Sequence, residues 1–272
     1  MINILMGGNN YASKGLLVVV SSILKNVKDS VTIYFMTMDL SYINKNYIPL
    51  KKENASYIDG LLKSKSKDSS LKVIDCTSEF ITIMEGKKNI NGGYTPYALV
   101  RLFADLKKEI PDKVLYLDTD VIIAKDISSL YNTNIDDYIF AGCLDYYGRF
   151  WIKRNYINSG VLLLNMKKIR ETNFMDKCRQ YCKKTASILA DQDALNNLTD
   201  LKLYLDDKYN EQARRPKEDT VIKHFSKQIN YIPPYTINIK PWDVKRMHSR
   251  YKIYEYDDIL NEYLKYEKRL IL

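Results

Sequence analysis

The sequence predicts an α/β protein in which buried strands alternate with amphipathic helices. Three apolar segments, each followed by a polar or helical stretch, lie at residues 2–6, 31–38 and 71–76. This alternation is typical of a parallel sheet with right-handed crossovers. A fourth buried strand, residues 114–117, runs directly into Asp118 and Asp120. Ligands of such sheets bind at the carboxyl ends of the strands, so this aspartate pair marks the predicted site.

Size and composition are those of a globular protein with one large domain or two small ones. The chain has 272 residues, 46% of them hydrophobic and 28% charged. No apolar run approaches the roughly 18 residues that span a bilayer, and residues 1–6 lack the charged lead of a signal peptide. The four cysteines show no paired spacing, which predicts a reducing, cytoplasmic location. Cys178 and Cys182 are predicted to pack in the core.

The first strand is followed by a glycine turn and a helix. Gly7 and Gly8 end the strand, and residues 11–25 carry an apolar stripe with a period of about 3.6 residues. Backbone amides at a glycine turn can approach a ligand closely, so this unit is a candidate nucleotide entrance even without a GxGxxG motif. Residues 42–67 are polar and are predicted to be mostly helical.

A further helix is predicted to begin at Thr95 and Pro96, after a loop at residues 91–93, because proline suits the first turn of a helix. It is predicted to reach residue 107. Its apolar core stripe consists of Leu99, Leu102, Phe103 and Leu106. Arg101 lies off this stripe. Taken alone, it is predicted to be a surface arginine, and the alternative is a group turned toward bound phosphate.

Asp118 and Asp120 form a candidate metal site. Side chains two residues apart in an extended chain point the same way, so the two carboxylates can converge on one ion. Carboxylate oxygens suit Mg²⁺ or Mn²⁺, which keep positions open for substrate phosphates. The alternative is a strand that ends in a solvated turn. Apolar runs on both sides of the pair favour the metal site.

Another predicted strand after this pair also ends at an aspartate. A strand is predicted over residues 138–144 and ends at Asp145, and another is predicted over residues 161–165. Residues 146–157 between them are aromatic and basic. Such a loop fits a stacking surface for a sugar or a base, or a lid that folds over the site.

The remainder of the chain adds one helix, one short strand and a tail. A helix is predicted over residues 174–188, and Asp191 begins another, since aspartate is favoured at the cap and in the first turn. A strand at residues 221–225 carries His224, which taken alone is a core histidine unless it meets the aspartate pair. Residues 243–272 are predicted to form a helical tail.

The net charge of +9 is unevenly placed. Residues 149–184 hold ten Lys or Arg against Glu171 and Asp176, which leaves +8 on this stretch. Such a patch attracts nucleic acid, acidic lipid headgroups or an acidic saccharide, and the alternative is a solvated face. The tail has seven basic and six acidic residues, which excludes a polybasic anchor. Its apolar stripe predicts packing on the main domain or on a partner subunit, as in a homodimer.

Taken together, the motifs resemble glycosyltransferase family 8, the retaining group that includes bacterial lipo-oligosaccharide galactosyltransferases. The resemblance covers roughly residues 1–245. The residues that carry it are Asn10-Tyr11, Arg101, Leu115-Tyr116-Leu117-Asp118-Thr119-Asp120, Asp145, Asn158-Ser159-Gly160-Val161-Leu162-Leu163, Asp191-Gln192-Asp193, His224 and Lys240-Pro241-Trp242. Each motif is modest, but their order and spacing make the combination specific.

The resemblance implies a GT-A fold, a Rossmann-like α/β domain with a mixed central sheet and helices on both faces. It places the glycosyltransferase domain at residues 1–245 and a helical extension at residues 246–272. The donor implied is UDP-galactose or UDP-glucose with Mn²⁺ or Mg²⁺. The acceptor implied is a saccharide, a glycolipid or a cell-surface glycan precursor, with no nucleic acid. The basic loop adds the expectation of peripheral association with the inner membrane face.

The same resemblance assigns roles to individual residues. The expected metal ligands are Asp118, Asp120 and His224. The residues expected to hold the nucleotide are Gly7, Gly8, Asn10, Tyr11, Thr119 and Lys240. The residues expected to contact the donor sugar are Arg101, Asn158, Ser159, Asp191 and Gln192. Asp191 and Gln192 are the expected catalytic residues, and Asp145 is expected to face the acceptor.

Two positions depart from the family pattern. The family places an acidic residue where this chain has Gly8, so contacts to the uridine are expected to differ. Lys227 stands at the glycine position of the pattern His-x-x-Gly-x-x-Lys-Pro-Trp, and a proline-rich connector at residues 233–234 separates His224 from Lys240. The loop after Asp145 is short, which predicts an open acceptor site.

Three alternatives accompany this interpretation. A metal-dependent phosphatase of the haloacid-dehalogenase type also places Asp-x-Asp at a strand end, but it needs the pair early in the chain and Thr or Val where Ile122 stands. A nucleic-acid-binding protein would use the basic stretch, but the sequence carries none of the recognition signatures. A family member that binds a UDP-sugar with little transfer is the third alternative.

Overall fold

The computed structural model describes residues 1–84, 95–185, 189–231 and 234–272. The predicted loop at residues 91–93 lies outside this part of the chain. The strands are β1 Ile2–Gly7, β2 Val31–Thr37, β3 Ser70–Asp75, β4 Lys113–Leu117, β5 Val121–Ile123, β6 Phe140–Leu144, β7 Ile157–Asn165, β8 Lys202–Tyr204, β9 Ile222–His224, β10 Gln228–Tyr231 and β11 Pro234–Ile237.

The helices surround these strands. The α-helices are α1 Ser13–Asn26, α2 Lys52–Lys65, α3 Thr77–Met84, α4 Ser128–Tyr131, α5 Gly148–Trp151, α6 Met166–Glu171, α7 Phe174–Lys184, α8 Ala190–Asn197, α9 Val244–Arg246 and α10 Asp257–Tyr266. The 3₁₀-helices are Asn10–Ala12, Pro96–Leu106, Asp207–Asn210 and Glu267–Arg269, and Met247–Tyr251 is a π-helix. No helix in the described ranges is long and apolar enough to cross a membrane.

The central sheet is mixed, and only one of its strands is reversed. Its seven strands are ordered β3-β2-β1-β4-β7-β6-β8. The first four are mutually parallel, whereas β7 runs antiparallel to both of its neighbours, β4 and β6. The α/β class and the mixed GT-A sheet predicted from the sequence are thereby confirmed. Two small antiparallel pairs, β5 with β9 and β10 with β11, complete the strands.

Alternating strand residues supply two apolar cores, one on each face of the sheet. In β1, Ile4 and Met6 join the core formed with α1 and α10, whereas Leu5 joins the core formed with the 3₁₀-helix Pro96–Leu106 and α7. This division follows from the two-residue period of side chains in a strand. Cys178 and Cys182 are buried in the second core, as predicted.

Several predicted boundaries were wrong for local reasons. Residues 42–51 form turns rather than helix, and α2 begins only at Lys52, because Asn44 closes a side-chain turn and Pro49 disfavours helix in the residue before it. Pro234 of the proline-rich connector begins β11, which pairs with β10, and Pro233 lies outside the described residues. α7 ends at Lys184, and the rest of its predicted range is largely outside the described residues.

The tail is not one continuous helix. Its helical segments are separated at Lys252, which adopts the left-handed conformation with φ of 56°. The stripe residues Ile253, Tyr256, Ile259, Leu260 and Tyr263 are nevertheless buried. The helix α10 packs against α1 of the same chain. Of the two roles predicted for this stripe, the structure shows packing on the main domain.

A buried ion pair fastens the 3₁₀-helix Pro96–Leu106 to α7. Arg179 Nη1 lies 2.6 Å from Asp105 Oδ1 and Nη2 lies 3.0 Å from Oδ2, and both side chains are largely excluded from solvent. Arg179 also donates to the backbone carbonyl of Leu102. This bidentate pair fixes the helix that carries Arg101.

Replacing Asp105 with alanine should leave Arg179 buried without its main partner. We expect Asp105→Ala to lower the free energy of unfolding by about 3–5 kcal/mol, measured by urea denaturation. Asp112→Ala is the matched control, because its pair with Arg170 has a carboxylate side chain that is 73% exposed. The control should lose less than about 1 kcal/mol, and equal losses in the two variants would contradict the role given to the buried pair.

Candidate functional site

Three strand ends meet at one edge of the sheet because β7 is reversed. Leu117, the last residue of β4, pairs with Val161, and Leu144, the last residue of β6, pairs with Ile157. The beginning of β7 therefore lies between the carboxyl ends of two other strands. This arrangement brings residues 158–160 beside Asp118 and Asp145, which are far apart in the sequence.

Asp118, Asp120 and His224 form a cluster that could hold a metal ion. Each offers one ligand atom, and these atoms all lie within 4.8 Å of one another. His224 Nε2 is 3.3 Å from Asp120 Oδ1 and 3.8 Å from Asp118 Oδ2. The two aspartates converge through a turn between β4 and β5, not through the extended chain assumed from the sequence. His224 joins them because β9 pairs with β5.

Gly160 has no side chain, and this makes room for the side chains of His224 and Asp118. A Cβ atom at this position would overlap His224 Cε1 and would lie 2.9 Å from Asp118 Oδ2. The Gly160 carbonyl also accepts a 2.8 Å hydrogen bond from the Asp118 backbone. Two carboxylates and one imidazole around such a cradle fit a divalent cation such as Mn²⁺.

Asn210 orients His224, and no sequence motif had indicated it. Its Oδ1 lies 3.0 Å from His224 Nδ1, which leaves Nε2 directed toward the aspartates. Its Nδ2 donates to Asn158 Oδ1 at 3.0 Å. The residue ends a short 3₁₀-helix that sequence patterns do not distinguish from a loop.

Arg101 is buried, which corrects its prediction as a surface residue. Its Nη2 donates to Asp118 Oδ1 at 2.9 Å, and its Nε lies 3.4 Å from Asp191 Oδ2. The guanidinium also stacks on Tyr116, whose hydroxyl donates to Asp118 Oδ1 at 2.7 Å. Burial disfavours the charged form of Arg101, but Tyr116 and the two carboxylates outweigh it and raise the arginine pKa. Tyr116 was absent from the predicted site.

Gln192 and Asp191 occupy the first turn of α8, beside the start of β7. Gln192 Oε1 accepts hydrogen bonds from the Ser159 backbone at 2.9 Å and from its hydroxyl at 3.1 Å. The Gln192 amide is therefore held in one orientation. Burial raises the pKa of Asp191, and the nearby Arg101 opposes this shift. The predicted helix start is confirmed, with Leu189 as the N-cap of α8 and Asp191 in its first turn.

Asp145 is hydrogen-bonded to Asn158 and Gln192. Its Oδ2 accepts hydrogen bonds from Asn158 Nδ2 at 2.8 Å and from Gln192 Nε2 at 3.2 Å. Its Oδ1 accepts from the backbones of Tyr147 at 3.0 Å and Gly148 at 2.6 Å. One carboxylate thus links the polar cluster to the beginning of the loop after β6.

The residues predicted to hold the nucleotide around the glycine turn after β1 differ in their environments. Asn10 is buried, and its side chain forms hydrogen bonds with Lys51, Asn54 and Ile271 instead of facing solvent. Tyr11 is exposed and meets Trp242 edge-on at a centroid distance of 6.5 Å. Gly7 and Gly8 are crowded by Val100 and Ala12 respectively, so neither tolerates a side chain without local movement.

Lys240 and Thr119 lie between this turn and the metal-ligand cluster. Lys240 Nζ pairs with Asp120 Oδ2 and donates to the Phe225 carbonyl at 3.2 Å. Burial favours a high pKa for Asp120, but Lys240 and His224 outweigh it and hold the pKa below its ordinary value. Gly15 of α1 packs on Thr119, where any Cβ would overlap the Thr119 carbonyl.

Comparison with known proteins agrees with this geometry. The mixed sheet is that of a GT-A fold, which solved structures of similar topology share. The family model described as "Glycosyl transferase family 8" matches residues 3–245. The chain belongs to glycosyltransferase family 8.

Among curated proteins, a putative glycosyltransferase of Haemophilus influenzae is 26% identical over 223 residues, which are 77% of this chain and 63% of that protein. Glycosyltransferase GlyA of Streptococcus pneumoniae is 35% identical over 143 residues, which are 51% of this chain and 20% of that protein. The chain therefore spans less than two thirds of the length of these relatives.

Among solved structures, the galactosyltransferase LgtC in complex with donor and acceptor sugar analogues has a TM-score of 0.71 at 16% identity, and the match covers 100% of this chain and 97% of that one. Glycosyltransferase GlyE of Streptococcus pneumoniae has a TM-score of 0.62 at 20% identity and covers 100% of this chain and 66% of that one. At these identities the similarity shows the fold.

Filling the space at Gly160 should block metal binding. In Gly160→Ala the new methyl group competes with His224 and Asp118, so we expect Mn²⁺ affinity to fall by roughly tenfold or more, measured by electron paramagnetic resonance of free Mn²⁺. Gly60→Ala is the matched control, because a Cβ there meets nothing within 4 Å. Unchanged Mn²⁺ affinity in folded Gly160→Ala would contradict the assignment of this cradle.

Proposed function

We propose that this chain transfers galactose or glucose from a UDP-sugar to a hydroxyl group of a saccharide, a glycolipid or a cell-surface glycan precursor, with retention of anomeric configuration. The observation that carries the proposal is the cluster of Asp118, Asp120 and His224 around the space left by Gly160. Donor-sugar candidates lie directly beside it. We assign residues 1–245 to the glycosyltransferase domain and residues 246–272 to a helical extension.

Asp118, Asp120 and His224 would hold Mn²⁺ or Mg²⁺. When bound, the ion supplies positive charge to the UDP diphosphate as the bond between sugar and phosphate breaks. Lys240 adds a second positive charge, since its ammonium group lies next to Asp120. Tyr11 and Thr119 lie on the side where the uridine would enter, with the crowded backbone at Gly7 and Gly8. Asn10 holds this turn through its contacts to Asn54 and Ile271.

Five residues would contact the donor sugar. They lie at the beginnings of β7 and α8 and in the 3₁₀-helix Pro96–Leu106, and they are Arg101, Asn158, Ser159, Asp191 and Gln192. Arg101 donates to the Ser159 carbonyl, Ser159 donates to Gln192, and Asn158 is held by Asp145. The sugar hydroxyls would therefore meet donors and acceptors already fixed in orientation. Galactose and glucose differ by one hydroxyl epimer, and this set would discriminate between them.

The positions of Asp191 and Gln192 support attack of the acceptor on the same face as the departing UDP. Gln192 Oε1 already accepts two hydrogen bonds from Ser159, which reduces its ability to act as a nucleophile. Asp191 lies against Arg101, and its carboxylate would support positive charge on the sugar as the bond breaks. UDP itself would take the proton of the acceptor hydroxyl, and Asp145 would orient that acceptor.

UDP release from a panel of UDP-sugars tests the proposed function. One UDP-hexose should be hydrolysed slowly with Mn²⁺ or Mg²⁺, and EDTA should abolish this activity. Asp120→Asn should lower the rate by roughly a hundredfold or more, because the diphosphate would lose its bound cation. Asp200→Asn, at an exposed turn, is the control and should keep the full rate.

The other outcomes separate the alternatives. UDP binding without turnover of any UDP-sugar would favour a member that binds donor with little transfer, and the crowded Gly8 would then be the first position to alter. Release of inorganic phosphate from phosphate esters would favour the phosphatase. Equal rates for Asp120→Asn and Asp200→Asn would contradict the assigned site.

Arg101 provides a second test, because lysine keeps the charge but not the shape of the guanidinium group. In Arg101→Lys one ammonium group cannot contact Asp118, Asp191 and the Ser159 carbonyl together. We expect UDP release to slow by roughly tenfold or more, mainly through kcat. Arg215→Lys, at an exposed position, should have no effect. A full rate in Arg101→Lys would show that charge alone suffices.

A further inference from the structure

The loop between β6 and β7 presents a compact apolar tip at the edge of the site. Phe150 is 76% exposed, Trp151 is 74% exposed and Ile152 is 55% exposed. Phe150 and Trp151 are the most exposed large apolar side chains in the described part of the chain. Consecutive apolar residues with this exposure are costly in water and commonly mark a contact surface.

The tip has a defined shape rather than an extended one. The Ile152 backbone donates to the Gly148 carbonyl at 2.9 Å, and the Lys153 backbone donates to the same carbonyl at 3.0 Å. Arg149 lies beneath the tip, 5.3 Å from the ring centroid of Phe150 and paired with Asp207 at 3.3 Å. The three apolar side chains are therefore presented by a folded turn.

Basic and apolar neighbours extend this surface. Lys153 and Arg154 are exposed directly after the tip, and neither forms an ion pair with a described residue. Tyr204 and Ile229 are also exposed, and each belongs to a strand that contacts the loop, through Asn155 and Tyr147 respectively. Aromatic and aliphatic side chains beside free cations match the interface of an anionic membrane.

We propose that residues 150–154 dock this chain on an anionic lipid surface. Phe150, Trp151 and Ile152 enter the interfacial layer, and Lys153 and Arg154 contact lipid phosphates. Phe150 and Trp151 end the short helix α5, and Ile152 is its C-cap. Consecutive side chains of a helical turn point about 100° apart, so these side chains do not form one flat platform for a sugar ring.

The docking surface is directly connected to the proposed acceptor residue. Asp145 Oδ1 accepts hydrogen bonds from the Tyr147 and Gly148 backbones at the start of α5. A tip seated in a membrane therefore holds Asp145 at the lipid surface. This step rests on the proposed function, and it identifies the acceptor as a lipid-linked saccharide rather than a free one.

Vesicle binding tests the proposal with the intact chain. The protein should sediment with vesicles of equal parts phosphatidylglycerol and phosphatidylcholine, and much less with phosphatidylcholine alone. The combined variant Phe150→Ser, Trp151→Ser, Ile152→Ser should reduce binding by roughly tenfold or more. Lys153→Gln with Arg154→Gln should weaken binding to anionic vesicles and reduce its salt dependence. Because the chain has two tryptophans, emission should shift to shorter wavelength on binding, and Trp151→Ser should remove most of this shift.

The matched control removes similar groups from the opposite edge of the sheet. Lys67, Lys72 and Val73 are exposed on or beside β3, and Lys67→Gln, Lys72→Gln, Val73→Ser should leave vesicle binding unchanged. Metal-dependent UDP release, measured in parallel, reports whether each variant retains an intact site. One outcome is that the unaltered chain releases no UDP while its vesicle binding is lost in the tip variant. In that case the proposed function is wrong and the docking surface is supported.

Two results would overturn the docking surface. One is equal vesicle binding by the tip variant and the control. The other is that the chain does not bind vesicles but self-associates in sedimentation velocity, and that the tip variant does not self-associate. The tip would then be an interface between protein copies.

Discussion

Arg101 and Asp118 form the buried contact on which the candidate site depends. The arginine reaches Asp118, Asp191 and the Ser159 carbonyl, and each of these belongs to a different element of the fold. A buried charge must be paired to be tolerated, and here the pairing joins Asp118 of the metal-ligand cluster to Asp191 of α8. The bidentate pair of Arg179 with Asp105 holds the helix from which Arg101 extends. Stability and site geometry are therefore coupled.

The polar groups of the site form a continuous chain of hydrogen bonds. The bonds lead from His224 through Asn210 and Asn158 to Asp145, and from there through Gln192 to Ser159. Arg101 continues the chain from the Ser159 carbonyl to Asp118. The members of such a network orient one another, so the site is rigid before substrate arrives. A change at any one member would be felt by groups that it does not touch.

The sequence predicted the strands and the aspartate pair because these depend on local pattern. Buried runs such as residues 114–117 and the glycine turn after β1 are visible without tertiary structure. Asn210, Tyr116 and the burial of Arg101 were not predictable, because each depends on which distant residue faces it. The family resemblance implied a mixed sheet, but neither it nor the sequence pattern indicated that β7 is the reversed strand. The break at Lys252 reflects a backbone conformation for which lysine gives no signal.

The reversed strand also affects how this site could diversify. Because β6 and β7 are antiparallel neighbours, the chain leaves and re-enters the sheet at the same edge through residues 145–156. A crossover between parallel strands must return along the length of the strands to their other end, whereas a connection between antiparallel neighbours need not. Residues can be inserted or deleted there while β4, β9 and their ligands remain in place. The proposed docking tip can therefore change in length and composition while the segments that form the metal-ligand cluster stay in place, and Asp145 is a point at which the two are joined.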